Sequence, residues 1–71
     1  MIEAKFNKEL YPEQTVKDAA EAFSHLSDIR ISYGSLYYLV SFSNCSLDED
    51  QTVAEFGNYL IDLMNSTNGH N

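Results

Sequence analysis

The residues that could carry chemistry in this chain are few and lie far apart in sequence. The candidates are His25, His70 and Cys45. A zinc site needs three or four protein ligands, and these residues show no recognisable ligand spacing. A nucleophilic cysteine needs a neighbouring group that lowers its pKa, and no basic residue lies near Cys45 in the sequence. The sequence therefore predicts no catalytic residues, no metal site and no cofactor.

An acidic run, Asp48 to Asp50, is the one other segment that suggests a ligand. It lacks the central glycine and the closing glutamate of a calcium-binding loop. Negative side chains also suit the positive end of a helix dipole, and Ser46 with Glu49 has the spacing of a capping box. We interpret the run as the start of a helix that is capped by Ser46.

A β-hairpin is predicted around Gly34 and Ser35, because strand-forming residues flank them on both sides. Glycine at the first central position of a two-residue loop suits the positive φ of a type II′ turn. Side chains alternate along a strand, so this register places six apolar residues on one core face. The predicted cross-strand pairs are Tyr33 with Leu36, Ile31 with Tyr38, and Ile29 with Val40.

The second face of this hairpin carries Arg30, Ser32, Tyr37, Leu39 and Ser41. In the predicted register Arg30 lies opposite Leu39, and Ser32 lies opposite Tyr37. Tyrosine and arginine are enriched at the energetic centres of protein interfaces, so this face is a candidate contact surface. The alternative is an ordinary exposed tyrosine on a small sheet.

The remaining elements follow from hydrophobic periodicity. The sequence predicts strands at about 2–7, 29–33 and 36–43, helices at about 12–26 and 47–65, and a frayed polar tail at 67–71 after one small domain, 1–66. Gly57 lies within the apolar stripe of the second helix, so we expect close approach to the sheet to offset its low helix propensity.

This order, β-α-β-β-α, predicts an α+β fold with both helices on one face of a three-stranded sheet. The third strand is apolar on both faces, which favours a central place and the order 1-3-2, like a ferredoxin-like fold that lacks its last strand. The order 3-2-1 is the alternative. In the order 1-3-2 the edge of the first strand is open, which adds Glu3 and Lys5 to the candidate partner-binding residues Arg30, Tyr37 and Leu39.

Size and charge narrow the classes of function. The chain has 71 residues and a net charge of −7, which should repel nucleic acid and attract basic peptides, although solubility is the commoner reason for such a charge. One cysteine permits no internal disulfide, and no segment reads as a signal peptide or a bilayer-spanning helix. We expect a cytoplasmic protein with no membrane partner.

Two segments resemble a known family. They are Phe6-Asn7-Lys8-Glu9-Leu10-Tyr11, followed by Val16, Ala19-Ala20 and Phe23, and Glu55-Phe56 with Leu60-Ile61-Asp62. They are similar to HxsD, the short accessory protein of bacterial His-Xaa-Ser peptide-maturation systems, which pair a small peptide with radical SAM enzymes. The family's C-terminal Leu-Arg-Glu is absent here, because Asp62 is followed by Leu63-Met64-Asn65. The resemblance implies an accessory role and brings no catalytic residue.

Three functions are therefore considered. The first is a non-catalytic module that binds a precursor peptide or its modifying enzyme, with the peptide added as a strand at the open edge. The second is a homodimer formed through the first strand or the Tyr37–Leu39 face. The third, a small enzyme or cofactor carrier, would be revealed by a bound metal or chromophore in purified protein.

Overall fold

Three strands and two helices follow one another in the order β-α-β-β-α in the computed structural model, which describes residues 1–68. They are β1 (Ile2–Asn7), α1 (Glu13–Ala22), β2 (Asp28–Tyr33), β3 (Tyr37–Ser43) and α2 (Glu49–Asn68). The sheet order is β1-β3-β2 with both pairs antiparallel, so β1 and β2 point the same way. The predicted α+β class and the order 1-3-2 are confirmed.

The core lies between one face of the sheet and the two helices. The central strand β3 contributes Tyr38, Val40 and Phe42 to it, and all three are buried. The Phe56 ring of α2 lies at the centre of this core. Its centroid is 5.1 Å from that of Phe42, 5.7 Å from that of Phe6 and 5.4 Å from that of Phe23. Edge and tilted ring contacts of this kind add to the stabilisation from buried area. Val16 and Ala19 of α1 are buried in the same core, so both helices cover the same sheet face.

The hairpin has a different register from the predicted one. The inner-face pairs are Tyr33 with Tyr38, Ile31 with Val40, and Ile29 with Phe42, so each partner on β3 lies two residues further along than predicted. Ser35 and Leu36 form the loop between the strands. Because side chains alternate with a period of two, this shift leaves every strand residue on its predicted face. Leu36 is the exception, since it lies in the loop and is 67% exposed.

Gly34 has a role other than the predicted positive φ. No glycine in residues 1–68 has a positive φ, so the type II′ prediction is wrong. The Gly34 N–H donates to the Tyr37 carbonyl at 2.9 Å, and a Cβ at Gly34 would lie 3.1 Å from that oxygen. Glycine therefore permits a close backbone approach at the end of the hairpin.

The start of α2 is capped by Asp48, so the predicted cap at Ser46 is wrong. The Gln51 N–H donates to Asp48 Oδ2 at 3.3 Å, and the Thr52 N–H and hydroxyl both donate to the Asp48 carbonyl at 2.9 Å. The Ser46 N–H donates instead to the Leu26 carbonyl at 2.8 Å. Ser46 thus joins the β3–α2 connection to the segment that follows α1.

The helix ends also differ from prediction. The first helix ends at Ala22, four residues early, and tight turns carry the chain through Phe23 and Leu26. The second helix continues to Asn68, so residues 67 and 68 are helical and the rest of the predicted tail lies outside the described residues. No helix within residues 1–68 has the length and apolar character needed to cross a bilayer.

The close approach of Gly57 to the sheet that the sequence predicted is wrong. A Cβ built on it meets no heavy atom within 4 Å. The buried stripe of α2 is instead formed by Thr52, Phe56 and Leu60, which are all fully buried. Gly57 therefore lies on a flank of α2 with open space beside it.

Candidate functional site

The candidate site is the outer face of the sheet, which we define as the face turned away from α1 and α2. Its side chains come from alternate positions of the three strands: Glu3, Lys5 and Asn7 of β1, Asp28, Arg30 and Ser32 of β2, and Tyr37, Leu39, Ser41 and Ser43 of β3. All five predicted partner-binding residues, Glu3, Lys5, Arg30, Tyr37 and Leu39, lie on this one face.

The neighbours of these residues differ from those predicted for the hairpin. Arg30 lies opposite Ser41, and Ser32 lies opposite Leu39, so both predicted pairs are wrong by two residues. On the other side of β3, Lys5 lies opposite Leu39 and Glu3 lies opposite Ser41. The apolar Leu39 is therefore flanked by Lys5 and Ser32, near the hairpin end of the face.

An open groove of about 380 Å³ lies at this hairpin end. Its lining consists of Lys5, Ser32, Tyr33, Gly34, Ser35, Leu36, Tyr37 and Leu39. Leu36 is 67% exposed, Tyr33 52% and Tyr37 43%, so large apolar surfaces meet water here. The Lys5 Nζ lies 5.8 Å from the centre of the Tyr37 ring, a cation–π distance.

A second depression of about 230 Å³ shares Leu36 and Tyr37 with the groove. Its other lining residues are Asn7, Lys8, Glu9 and Ser35. Leu36 and Tyr37 thus form a common wall between two neighbouring depressions. Sequence reasoning missed the contribution of Leu36, because it placed this residue on the core face. A hairpin loop placed at residues 35 and 36 would have revealed it.

Charge divides the molecule into two layers. Eight of the eleven acidic residues lie on the helices or at the cap of α2, together with one of the four basic residues. The acidic ones are Glu13, Asp18, Glu21, Asp48, Glu49, Asp50, Glu55 and Asp62, and the basic one is Lys17. The sheet and its loops carry three residues of each sign. The helix layer therefore holds the whole net charge of −7, and the sheet layer is neutral.

Lys17 is itself held by a neighbouring acid. Its Nζ lies 3.3 Å from Glu13 Oε2, one helical turn away. The hydrogen bond and the charge of Glu13 raise the pKa of this ammonium above its ordinary value. The charge of Lys17 is therefore paired within α1, whereas Lys5 of the sheet layer lines the groove itself.

Cys45 and His25, which the sequence offered as residues that could carry chemistry, do not belong to the outer face. Cys45 is partly buried against the core, and its Sγ lies 3.3 Å from the Ser27 hydroxyl. That hydroxyl donates a hydrogen bond to the Ser43 carbonyl at 2.9 Å. His25 is exposed, and His70 lies outside the described residues. Within residues 1–68, no group of three or more His, Cys, Asp or Glu side chains could hold a metal ion.

Comparison with known proteins gives no relative, because no family model, no curated protein and no solved structure matches this chain. The fold and the outer face thus define a small α+β protein with one uncovered sheet surface. Any more specific role must be argued from that surface and from the sequence resemblance.

Proposed function

We propose that this chain is a non-catalytic accessory protein that binds an extended precursor peptide on the outer face of its sheet. One observation carries the proposal: the groove walled by Leu36, Tyr37 and Leu39 lies on a face that neither helix covers. The resemblance to HxsD supplies the kind of partner, a peptide that a radical SAM enzyme modifies.

The groove has the chemistry of a contact surface. Clustered apolar side chains in water mark a binding site more often than scattered ones do. Tyr37 supplies a large amphipathic ring, and residues of its type are enriched where binding energy concentrates. A peptide side chain with an apolar body would displace water from Leu36 and Leu39, while its main chain meets Ser32 and Lys5.

The charge layers favour a particular class of peptide. The attraction for basic partners that the net charge predicts belongs to the helix layer and not to the outer face. The outer face itself carries Glu3 and Asp28 as well as Lys5 and Arg30, so its charges balance. The proposed ligand is therefore an extended apolar peptide that carries little net charge.

Calorimetry with peptides and maturases encoded beside this gene tests the proposal. We expect one of them to bind, and Tyr37→Lys to weaken that binding at least about tenfold, as expected for a residue at the centre of an interface. Leu47→Lys is the matched control, because Leu47 has a similar exposed fraction, 41%, and lies outside the outer face. It should bind like the unmodified protein.

Two results would contradict the proposal. The first is the absence of binding by any neighbouring peptide or maturase while circular dichroism shows folded protein. The second is binding that Tyr37→Lys leaves unchanged, which would place the peptide elsewhere, for example at the β1 edge as an added strand.

A further inference from the structure

The edge of β1 presents free main-chain groups in a defined pattern. No strand among residues 1–68 pairs with its other side. The Lys8 N–H donates to the Leu36 carbonyl at 3.0 Å, and these residues form the next pair when the β1–β3 register is continued beyond Asn7 and Tyr37. Hydrogen-bonded pairs alternate with non-bonded pairs in antiparallel sheets. The main-chain groups of Glu3 and Lys5 therefore point away from β3, toward the open edge.

We propose that two copies of this chain pair through β1, antiparallel about a two-fold axis at Ala4. In this register Glu3 lies opposite the partner's Lys5, and Lys5 lies opposite the partner's Glu3. Opposite charges at facing positions stabilise a strand pair, and like charges destabilise it. A shift to either neighbouring register sets Glu3 against its own copy, or Lys5 against its own copy. Charge thus selects the register centred on Ala4.

The inner side of β1 is complementary to itself in the same register. Ile2 lies opposite the partner's Phe6, and the small Ala4 lies at the axis opposite its own copy. Ile2 and Phe6 are only partly buried within one chain, although both pack against the core. Pairing covers their remaining apolar surface, which favours association.

A flank of α2 supports the same pairing independently. The Tyr59 ring lies 5.7 Å from Phe23, on the side of α2 that faces the end of α1. At 3.6 residues per turn, the opposite flank of α2 carries Val53, Gly57 and Met64. This flank is uncharged at these positions and has open space at Gly57.

Spacing permits the two copies of α2 to meet at this flank. The Phe56 ring contacts both Phe6 of β1 and Phe42 of β3, so α2 lies over these two strands. With strands about 4.8 Å apart, the two helix axes would be about 10 Å apart across the two-fold axis, as in packed helices. The result is a self-complementary interface that joins two sheets into one of six strands.

This dimer goes beyond the proposed peptide binding and does not depend on it. The groove lies on the outer face, whereas the dimer uses the edge of β1 and the flank of α2. Tyr37→Lys should weaken peptide binding at least about tenfold and leave the dimer intact. Variants of Glu3 should weaken the dimer and leave peptide binding unchanged, because Glu3 does not line the groove.

Charge reversal with sedimentation equilibrium tests the register. The unmodified protein should show twice the 8.1 kDa chain mass. Glu3→Lys and Lys5→Glu each create two facing pairs of like charge, so each should weaken the dimer at least about tenfold. The double variant restores opposite charges and keeps the net charge, so its dissociation constant should return to within a few fold of the original.

The controls separate register from net charge and from folding. Glu21→Lys changes the net charge as Glu3→Lys does, but it lies on α1 and should not weaken the dimer. N-methylation of the Glu3 amide removes an outward N–H without altering any charge and should also weaken it. A monomer at about 100 µM would overturn the proposal, since association follows mass action. A double variant as weak as the single variants would overturn it equally.

Discussion

Gly57 is a residue whose environment the sequence alone misjudges. It lies inside α2, where glycine is less favourable than alanine by up to about 1 kcal/mol, and a Cβ would meet no atom within 4 Å. We expect Gly57→Ala to stabilise the monomer by this amount, which corresponds to a rise in Tm of roughly 4–8 °C. Thermal unfolding in the Glu3→Lys background measures this effect without a contribution from association.

Ala54→Gly is the matched control for this substitution, because Ala54 is exposed on the same helix. It should lower the Tm by a similar amount through the same loss of helix propensity. A lower Tm for Gly57→Ala would show that the space beside Gly57 is filled within the folded chain.

Substitution of Gly34 by alanine is expected to lower the stability of the protein, in contrast to the same substitution at Gly57. The Tyr37 carbonyl is fixed by its hydrogen bond from the Gly34 N–H, and an added Cβ would lie 3.1 Å from its oxygen. We expect Gly34→Ala to destabilise the protein by about 1 kcal/mol, because the hairpin must open slightly to relieve the contact. Urea unfolding should show a lower midpoint with an unchanged slope. An unchanged midpoint would contradict a tight approach at this turn.

At the level of elements, hydrophobic pattern specifies faces better than it specifies register. Alternation placed Tyr38 and Val40 in the core and Tyr37 and Leu39 on the opposite face. A slip of two residues preserves that alternation, so the pattern could not distinguish the two hairpin registers. The position of the loop decides between them, and the error concealed the part that Leu36 plays in the groove.

The strand order was predictable for a related reason. β3 carries apolar residues such as Leu39 on its second face as well as buried ones on its first, which suits a strand with neighbours on both sides. Helix ends were less predictable. Phe23 and Leu26 continue the helical spacing, yet the Ser24 and Leu26 N–H groups donate to carbonyls three residues back and not four, so the regular α-helix has ended there. Apolar spacing indicates which side chains face the core, but it does not determine the backbone conformation that places them there.

The start of α2 provides a test at the same scale. Asp48 accepts a hydrogen bond from the Gln51 N–H, whereas the Ser46 side chain is not needed for a cap. Asp48→Ala should therefore destabilise the protein by about 0.5–2 kcal/mol, the usual cost of losing an N-cap. Ser46→Ala should change the free energy of unfolding by less than about 0.5 kcal/mol, as at an ordinary surface position. Equal effects would mean that Asp48 does not act as the cap.

At the level of the whole molecule, the two layers carry different charges. Like charges crowded on one layer repel one another and destabilise the compact state. The helix layer holds the whole net charge of −7, while the sheet layer balances its three acidic and three basic residues. A partner that approaches the outer face therefore meets a neutral surface, although the chain as a whole is strongly acidic.

This separation predicts how salt affects stability. Raising the salt concentration shortens the screening length to about 8–10 Å, so repulsion within the helix layer should weaken and the Tm should rise. Glu21→Lys lowers the charge of that layer and should reduce this rise. Glu3→Lys makes the same charge change in the neutral layer and should leave the rise almost unchanged at protein concentrations where the chain is monomeric. Thermal unfolding from low to physiological salt compares the three proteins. Equal slopes for the two variants would mean that net charge alone, and not its placement on the helices, governs the response.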